Sequence, residues 1–330
     1  MNGSKRPVRR RGGRAAFAAA LAALALLAGL PAASTPATAQ QDGFDYRLAP
    51  QRIADGVYVL IGSTEEFSPA NGGNIVNTGF IVGSEGVIVV DSGPSLRYGE
   101  QLRRAIAAVT PLPVVLVINT HHHPDHVLGN QAFPPATLAA LPGTRGALEA
   151  EGEALLENMY RLTGEWMRGT ETVLPERTLA AGPLEIGGRK LELLMLSGHT
   201  DADLAVLDLA TGTLFAGDIV FWNRAPTTPH ADIAQWLQAL EHLEGLPFRQ
   251  LVPGHGPVAT DATPIAQTRS YLAWLEQTLR EGAEQGQDMT EMLEQEVPTR
   301  FGDLDGATAE FRRSVIHLYP AAEQAALRSR

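Results

Sequence analysis

The sequence predicts a layered α/β fold with mixed β-sheets, and three observations support this fold class. β-branched apolar runs typical of strands precede amphipathic segments of helical length, and this order occurs in both halves of the chain. Hydrophobic residues make up 44% and charged residues 19% of the 330 positions, which allows a sizeable core and excludes a disordered or collagen-like chain. The chain contains no cysteine, so a disulfide scaffold, a zinc ribbon, an iron–sulfur cluster and a cysteine nucleophile are excluded.

The first half of the predicted fold is rich in strands. Four strands are predicted there: residues 57–61, 75–82, 87–90 and 114–118. The turn at 83–86 predicts a hairpin between the second and third strands, and the wholly apolar fourth run predicts a strand buried on both faces. Ser95 can cap a helix that extends to about residue 109. This helix would place four apolar side chains on one stripe: Leu96, Leu102, Ile106 and Val109.

The rest of the chain adds longer helices. Residues 146–167 predict a long amphipathic helix. Its apolar stripe would contain Leu148, Leu155, Met159, Leu162 and Trp166. We interpret the acidic run at 149–157 as the solvated face of this helix, although the helix could also cover a cleft. Further strands are predicted at 191–196, 204–209, 213–216 and 250–252, a helix at 232–243, and a mostly helical segment from about residue 264.

The N-terminus has the pattern of an export signal. Residues 1–14 are basic, residues 15–30 are apolar and uncharged, and Ala37-Thr38-Ala39 provides small residues for cleavage. Because the apolar run is shorter than the roughly 20 residues of a spanning helix, we favour a cleavable signal peptide over a membrane anchor. We therefore expect a periplasmic or secreted protein, cleaved near Ala39, with no stable membrane insertion after the signal is removed.

The charge of the chain argues against nucleic acid as a partner. The formal net charge is −11, and the first 39 residues contain six basic and no acidic side chains, so the remainder is still more acidic. An acidic body repels phosphate backbones. We expect a small-molecule substrate instead.

The segment that carries the chemistry directly follows the predicted strand at 114–118. It reads Thr120-His121-His122-His123-Pro124-Asp125-His126. Side chains two residues apart in extended backbone point the same way, so His121 and His123 can share one metal ion, and Pro124 favours extended backbone at His123. Asp125 and His126 come at the turn into the next segment and can reach a second point nearby. Imidazole and carboxylate ligands suit zinc, and also iron or manganese.

Three further candidate ligands lie where predicted strands end. His199, Asp218 and His255 each have a glycine next to them in the sequence, which leaves room for tight turns and close backbone approach. Sites of α/β folds lie at such strand ends. The sequence therefore predicts that these side chains join the histidine-rich segment in one metal site.

These motifs resemble those of the metallo-β-lactamase superfamily of hydrolases. The resemblance covers roughly residues 57–257 and consists of five motifs in order: Asp91, the segment 121–126, His199, Asp218 and His255. It implies a four-layer αβ/βα sandwich with metals in a cleft at one edge of two sheets. An aspartate stands where some lactamases have a cysteine ligand, so the ligand set is similar to that of glyoxalase II. The signal sequence, the histidine-rich segment and the Gly-His-Thr-Asp stretch are similar to exported zinc metallohydrolases of quinoprotein relay and sulfur-oxidation systems.

The resemblance also implies a role for each ligand. It places a first metal ion with His121, His123 and His199, a second with Asp125, His126 and His255, and Asp218 as a bridge between them. We expect two zinc ions, with iron or manganese as alternatives, and a bridging hydroxide that attacks a small ester, thioester, lactone or lactam. Asp125 is the expected catalytic residue, because it can orient the hydroxide or accept a proton.

Two other functions stay open. The same ligand set holds a single iron in persulfide dioxygenases, and a non-catalytic metal-binding accessory protein of a quinoprotein pathway is the second alternative. The expected domain division is a signal peptide over 1–39, a catalytic domain over 40–260 and a C-terminal helical extension over 261–330. The surface that selects the substrate is expected in the loops 65–74 and 131–182.

The remaining polar candidates have supporting or ordinary roles. We expect Asp91 to orient a ligand imidazole or the loop backbone. His122 should face away from its neighbours and be packed or solvated. Asp201 and Asp203 are interpreted as turn acids, although they could also tune the ligand His199. His230 is interpreted as a capping or surface residue, although it could also line the cleft. The tryptophans at 166, 222 and 236 are expected in the core.

Overall fold

Two β-sheets form the centre of the fold. The structure is a computed structural model that describes residues 43–329. The described residues contain the following strands: β1 (Gln51–Ala54), β2 (Val57–Leu60), β3 (Thr78–Val82), β4 (Val87–Val90), β5 (Val114–Ile118), β6 (Leu138–Ala140), β7 (Arg177–Thr178), β8 (Gly182–Ile186), β9 (Arg189–Leu196), β10 (Asp203–Asp208), β11 (Thr213–Phe221) and β12 (Gln250–His255).

The helices lie between and after these strands. They are α1 (Leu96–Val109), α2 (Pro124–Val127), α3 (Pro142–Thr163), α4 (Ile233–Glu244), α5 (Thr263–Gln285), α6 (Met289–Leu293), α7 (Thr299–Gly302) and α8 (Ala307–Ser329). Short 3-10 helices cover Asn130–Ala132, Pro135–Thr137 and Gly164–Met167. The helical C-terminal segment predicted from residue 264 is confirmed.

Both sheets are mixed, as predicted. The first has the order β1-β2-β3-β4-β5-β6-β7; the strands from β1 to β4 pair antiparallel, and those from β4 to β7 pair parallel. The second has the order β12-β11-β10-β9-β8 and contains one parallel pair, β11 with β12. The predicted hairpin is β3 with β4.

Alternating side chains on each sheet build separate hydrophobic cores, which creates the layers. On β4, Ile88 and Val90 join the core between the sheets, whereas Val87 and Val89 pack with residues of α1. On β10, Val206 joins the same inter-sheet core, whereas Leu207 packs with residues of α4, α5 and α8. The order is therefore helix, sheet, sheet, helices, and the predicted αβ/βα sandwich is confirmed.

Several predicted element boundaries are wrong by a few residues. The strand expected from residue 75 begins at Thr78, because the preceding residues run as a loop toward the second sheet. β11 continues past residue 216 to Phe221 through irregular pairing with β12, so Asp218 lies inside a strand and not after one. In α1 the Ser95 cap is confirmed by its bond from the Tyr98 N–H, but Val109 is 38% exposed and does not belong to the buried stripe.

The long helix predicted at 146–167 is two elements. α3 begins at Pro142 and ends at Thr163, because the next residue, Gly164, has a φ of 65° that stops the helix, and a 3-10 turn follows. Leu148 and Met159 are buried as predicted, whereas Leu155 and Leu162 are half-buried. The partial exposure of these two leucines follows from the cavity that they border, described below.

The C-terminal helices cover the outer face of the second sheet. Tyr271 of α5 and Phe311 of α8 belong to the same core cluster as Leu214 of β11. The domain division at residue 260 stays a prediction. The signal peptide predicted at 1–39 lies outside the described residues. Within the described part of the chain, none of the helices has both the length and the hydrophobicity that crossing a membrane requires.

Candidate metal centre

The predicted ligands come together where strands of both sheets end. The segment 119–123 leaves β5 and leads into α2, which carries Asp125 and His126. His199 follows β9, and His255 is the last residue of β12. His123 has extended backbone, with φ −66° and ψ 148°, as its position before Pro124 predicts. All seven predicted ligands are at least nine-tenths buried: His121, His123, Asp125, His126, His199, Asp218 and His255.

The first group of ligand atoms belongs to three histidines and one aspartate. His121, His123, His199 and Asp218 each offer one atom, and these atoms lie within 4.8 Å of one another. The Nε2 atom of His199 is 2.9 Å from Nδ1 of His123 and 3.4 Å from Oδ2 of Asp218. This spacing suits one tetrahedral ion with nitrogen and oxygen ligands.

The second group lies directly beside the first. Asp125, His126 and His255 offer atoms that again lie within 4.8 Å of one another. Asp218 Oδ1 is 3.2 Å from Nε2 of His126, and Asp218 Oδ2 is 3.1 Å from Nε2 of His255. The Asp218 carboxylate therefore contacts both groups.

The ring nitrogens that point away from the cluster are held by the protein. His126 Nδ1 donates to Asp91 Oδ2 over 2.8 Å, and His255 Nδ1 donates to the Ile75 carbonyl over 2.7 Å. Such outer bonds fix which nitrogen carries the proton and leave the other free to bind a metal. For these two histidines, the free atom is the Nε2 that faces Asp218.

Asp91 organises the loop as well as the ring of His126. Its Oδ1 accepts from the Thr120 N–H and its Oδ2 from the Thr120 hydroxyl, at 2.8 and 2.9 Å. Asp91 is 1% exposed and has a φ of 60°, a backbone conformation that is costly for a residue other than glycine. These contacts are of both kinds expected for Asp91, to a ligand imidazole and to the loop backbone.

Burial and charge set the protonation of the cluster. Burial lowers the pKa of His121 well below 6.5, and burial lowers the pKa of His199 to about 3, so both rings are neutral at neutral pH. Burial also disfavours the charged form of His126, but the carboxylates of Asp218, Asp125 and Asp91 raise its pKa above 6.5 overall. Without a metal, the Asp218 carboxylate is thus compensated by a protonated imidazole.

Unpartnered buried atoms show that the cluster fits metal ions. Within the described residues, Nε2 of His121, Nε2 of His126 and Oδ1 of Asp218 are buried and make no hydrogen bond. Buried polar atoms are rarely left without a partner, because desolvation costs about 1–3 kcal/mol for each. A divalent cation bound by each of the two groups would satisfy these atoms. The nitrogen and oxygen donors match the preference of zinc.

His230 is exposed, as predicted, and it also borders the metal cavity. It does not cap a helix, because Asp232 caps α4. Its Nδ1 is 2.8 Å from Nε2 of His123. The loop before α4 folds back over the histidine-rich segment, and no local pattern in the sequence shows this.

The other supporting residues lie around His199 and His122. Asp203 is not an ordinary turn acid, because it is 3% exposed and accepts from the His199 and Thr200 N–H groups. Asp201 is exposed, as a turn acid should be. His122 lies outside both ligand groups and is packed, as predicted, but its ring lies 4.9 Å from that of His123 rather than facing away from the site.

Of the tryptophans at 166, 222 and 236, only Trp236 is fully in the core. Trp236 is buried, donates to the Ile219 carbonyl and packs edge-on against His199 at 5.1 Å. Trp166 and Trp222 are half-buried, so the core prediction is wrong for them. Gly198, with a φ of 136°, lies against the backbone of Trp236, and this close approach accounts for the glycine before His199.

A cavity of about 360 Å³ opens onto the metal centre. Four of the candidate ligands lie on its floor: His123, Asp125, Asp218 and His255. The apolar residues of its lining are Phe67, Ile75, Leu155, Leu162 and Pro229. The alternative that helix α3 covers a cleft is therefore correct, in addition to its solvated face.

The charged part of the cavity lining was not found from the sequence. It contains Arg224, Arg313 and Glu66. Arg224 is 3% exposed, pairs with Glu310 at 3.1 Å and donates to the Thr64 carbonyl at 2.7 Å. Arg313 belongs to α8, far along the chain from every ligand motif, so no spacing signal connects it to the site.

A substitution at Gly254 should disrupt the metal centre. A Cβ atom there would overlap Oδ1 of Asp218 and the backbone of Gly217. We expect Gly254→Ala to displace the Asp218 carboxylate and to weaken metal binding by at least the roughly 10–100-fold seen for losses around metal sites. Metal content after dialysis measures this, and Gly146→Ala, which meets no neighbouring atom, is the control. Wild-type metal content in Gly254→Ala would contradict the expectation.

Comparisons with known proteins agree with this geometry. Residues 71–255, more than half of the chain, match the Metallo-beta-lactamase superfamily. Acyl-coenzyme A thioesterase MBLAC2 of Gallus gallus is 26% identical over 211 residues, which cover 56% of this chain and 73% of that protein. A hydroxyacylglutathione hydrolase of Synechococcus sp. is 32% identical over 146 residues, which cover 41% of this chain and 48% of that protein.

Solved structures show the same fold. A metallo-beta-lactamase from Pontibacter korlensis has a TM-score of 0.54 at 23% identity and covers 68% of this chain and 99% of its own. The sec-alkylsulfatase Pisa1 from Pseudomonas sp. has a TM-score of 0.63 at 14% identity and covers 83% of this chain and 51% of its own. With its αβ/βα sandwich and its His/Asp cluster at the strand ends, the chain belongs to the metallo-β-lactamase superfamily of hydrolases.

Proposed function

We propose that this protein is a zinc-dependent hydrolase with a dinuclear site that cleaves small thioesters. The observation that carries the proposal is the position of Asp218, whose two oxygens lie 3.1–3.2 Å from ligand nitrogens of the second group while Oδ2 also lies 3.4 Å from His199. A carboxylate shared between two ligand groups suits a pair of ions. When bound, such a pair supplies positive charge that polarises the substrate carbonyl and makes a water molecule acidic.

The residues of this chain have separate tasks in that reaction. The histidines of both groups, Asp125 and Asp218 would hold the ions, and Asp91 and the Ile75 carbonyl orient two of the rings. Asp125 lies 3.5 Å from Nε2 of His255 at the floor of the cavity, where its carboxylate can orient water or accept a proton.

The thioester class is supported by the relatives and by the shape of the cavity. The names of two relatives state thioester substrates, an acyl-coenzyme A and a hydroxyacylglutathione. The apolar residues that line the cavity, such as Phe67 and Leu155, suit an acyl group, and Arg224 and Arg313 suit polar atoms of the leaving thiol. Esters, lactones and lactams have the same reacting carbonyl and belong in the same assay.

Export is a separate part of the proposal. Its support is the basic, apolar and small-residue pattern over residues 1–39, which favours a periplasmic or secreted enzyme of the kind associated with quinoprotein relay or sulfur-oxidation systems. Cell fractionation of the full-length protein, with N-terminal sequencing of the mature form, tests it. An unprocessed N-terminus in the cytoplasmic fraction would contradict it.

Turnover of a substrate panel by the zinc-loaded protein tests the activity. The panel contains an acyl-coenzyme A, an acylglutathione, a lactone, a β-lactam and a phosphodiester. We expect the thioesters to be cleaved fastest and the activity to disappear with a chelator and return with zinc. A preference for the phosphodiester, or activity that a chelator does not change, would contradict the proposal.

A further inference from the structure

A chain of three side chains leads from the metal centre to the surface. His123 Nδ1 belongs to the first ligand group, 2.9 Å from Nε2 of His199. The other nitrogen of the same ring, Nε2, is 2.8 Å from Nδ1 of His230. The Nε2 atom of His230 then lies 3.3 Å from Oε2 of Glu151 on helix α3. His230 and Glu151 are 36% and 46% exposed, so the chain ends at solvent.

The positions of the hydrogen atoms determine which nitrogen donates and which accepts along these three side chains. When His123 binds a metal through Nδ1, its Nε2 carries the hydrogen and donates. His230 Nδ1 must then accept, so the hydrogen of a neutral His230 is on Nε2, the atom that lies 3.3 Å from Oε2 of Glu151. The His123 N–H thus has an acceptor, and the His230 N–H lies beside a carboxylate. The arrangement resembles a carboxylate–histidine–metal triad with a second histidine inserted. We call Glu151, His230 and His123 the relay.

The positions of these hydrogen atoms also argue against a separate cation bound beside His230. His122, His123 and His230 also form a group of possible metal ligands, and the buried Nε2 of His122 makes no hydrogen bond while lying 3.7 Å from Glu151. A cation on Nε2 of His230 would move the hydrogen of that ring to Nδ1. Two N–H groups, those of His123 and His230, would then face each other over 2.8 Å. The relay avoids this conflict.

We propose that His230 and Glu151 are positioning residues for the metal ligand His123. They hold its ring at the angle that directs Nδ1 to the first metal position, and the negative charge of Glu151 makes that nitrogen a stronger donor. Because Glu151 belongs to α3, which also lines the cavity, the relay ties the wall of the cavity to the metal centre. The inference requires metal binding by His123 but does not depend on the substrate.

Four variants separate this role from a general effect on structure. His230→Leu removes the acceptor, whereas His230→Asn keeps an oxygen near the position of Nδ1 and should restore most of the effect. Glu151→Gln removes only the charge at the end of the relay. Glu153→Gln is the matched control, because it makes the same change on an exposed position of the same helix.

Metal affinity and the Co²⁺ absorption spectrum are measured without substrate. We expect His230→Leu to lower the metal affinity at the first position by about 10–100-fold, measured in competition with a chelator, and to shift the Co²⁺ absorption bands. Glu151→Gln should act in the same direction but less, and Glu153→Gln should match wild type. Wild-type affinity and spectrum in both His230→Leu and Glu151→Gln would overturn the inference.

A second outcome would also overturn it. If wild type binds three metal ions per chain and the Glu151→Gln variant binds two, the cluster of His122, His230 and Glu151 holds its own cation and is not a relay. Since these readouts need no turnover, they remain informative if the thioesterase proposal fails. Conversely, if the enzyme cleaves thioesters and the His230 and Glu151 variants have wild-type metal affinity and spectra, only the relay proposal fails.

Discussion

Replacing Asp125 by alanine is expected to reduce thioester turnover by about 10²–10⁴-fold and to leave the protein folded. The side chain is 6% exposed and its carboxylate faces His126 and His255 at the metal centre. The variant therefore loses both a ligand of the second group and the carboxylate that can take up a proton. Steady-state kinetics with the zinc-loaded protein measure the loss, and the far-ultraviolet circular dichroism spectrum reports on the fold.

Asp201→Asn is the control for that experiment. Asp201 is an exposed acid in the loop that carries His199, and it belongs to neither ligand group. The same loss of one negative charge near the site should leave turnover within a factor of a few of wild type. Retained turnover in Asp125→Ala, with metal still bound, would show that Asp125 does not have the proposed catalytic role.

The substitution Glu310→Gln is expected to destabilise the protein by about 3–5 kcal/mol. Glu310 is fully buried and pairs with Arg224 at 3.1 Å, which itself is 3% exposed. Removing the charge leaves Arg224 buried with less compensation. Arg224 also donates to the Thr64 carbonyl in the loop before β3, so the loosened arginine would release one side of the cavity.

Urea denaturation of the metal-loaded protein measures this loss as a lower midpoint. Glu276→Gln on α5 is the control, because Glu276 is exposed and its replacement should change the free energy of unfolding by less than about 0.5 kcal/mol. If Glu310→Gln has the same urea midpoint as the control, the buried Glu310–Arg224 pair does not hold α8 against the loop before β3.

The convergence of the candidate ligands could be predicted because their positions follow from local rules. The apolar run of β5 is buried, so the side chains at 121 and 123 leave the strand end together, and Pro124 keeps the backbone extended between them. His255 lies at the end of a strand for the same reason. Asp91 follows β4, the parallel neighbour of β5, and therefore reaches the same edge of the sheet.

The surroundings of the ligands could not be predicted, because long-range packing decides them. His230 reaches His123 across 107 positions of sequence, and Arg224 reaches Glu310 across 86. Glu151 looks like its acidic neighbours on α3, and only the tertiary fold distinguishes it as the one facing His230. No spacing in the sequence marks such contacts. They depend on how the loop before α4 and helix α8 pack against the sheets.

Metal analysis and turnover on one sample test the central claim, that the seven clustered side chains hold a pair of ions for hydrolysis. The mature protein is purified without added chelator, its metals are counted by elemental analysis, and acyl-thioester hydrolysis is followed while zinc is removed and restored. We expect about two zinc ions per chain and activity that rises as the second site fills. A single iron per chain, with oxygen uptake on a persulfide and no thioester hydrolysis, would contradict the account.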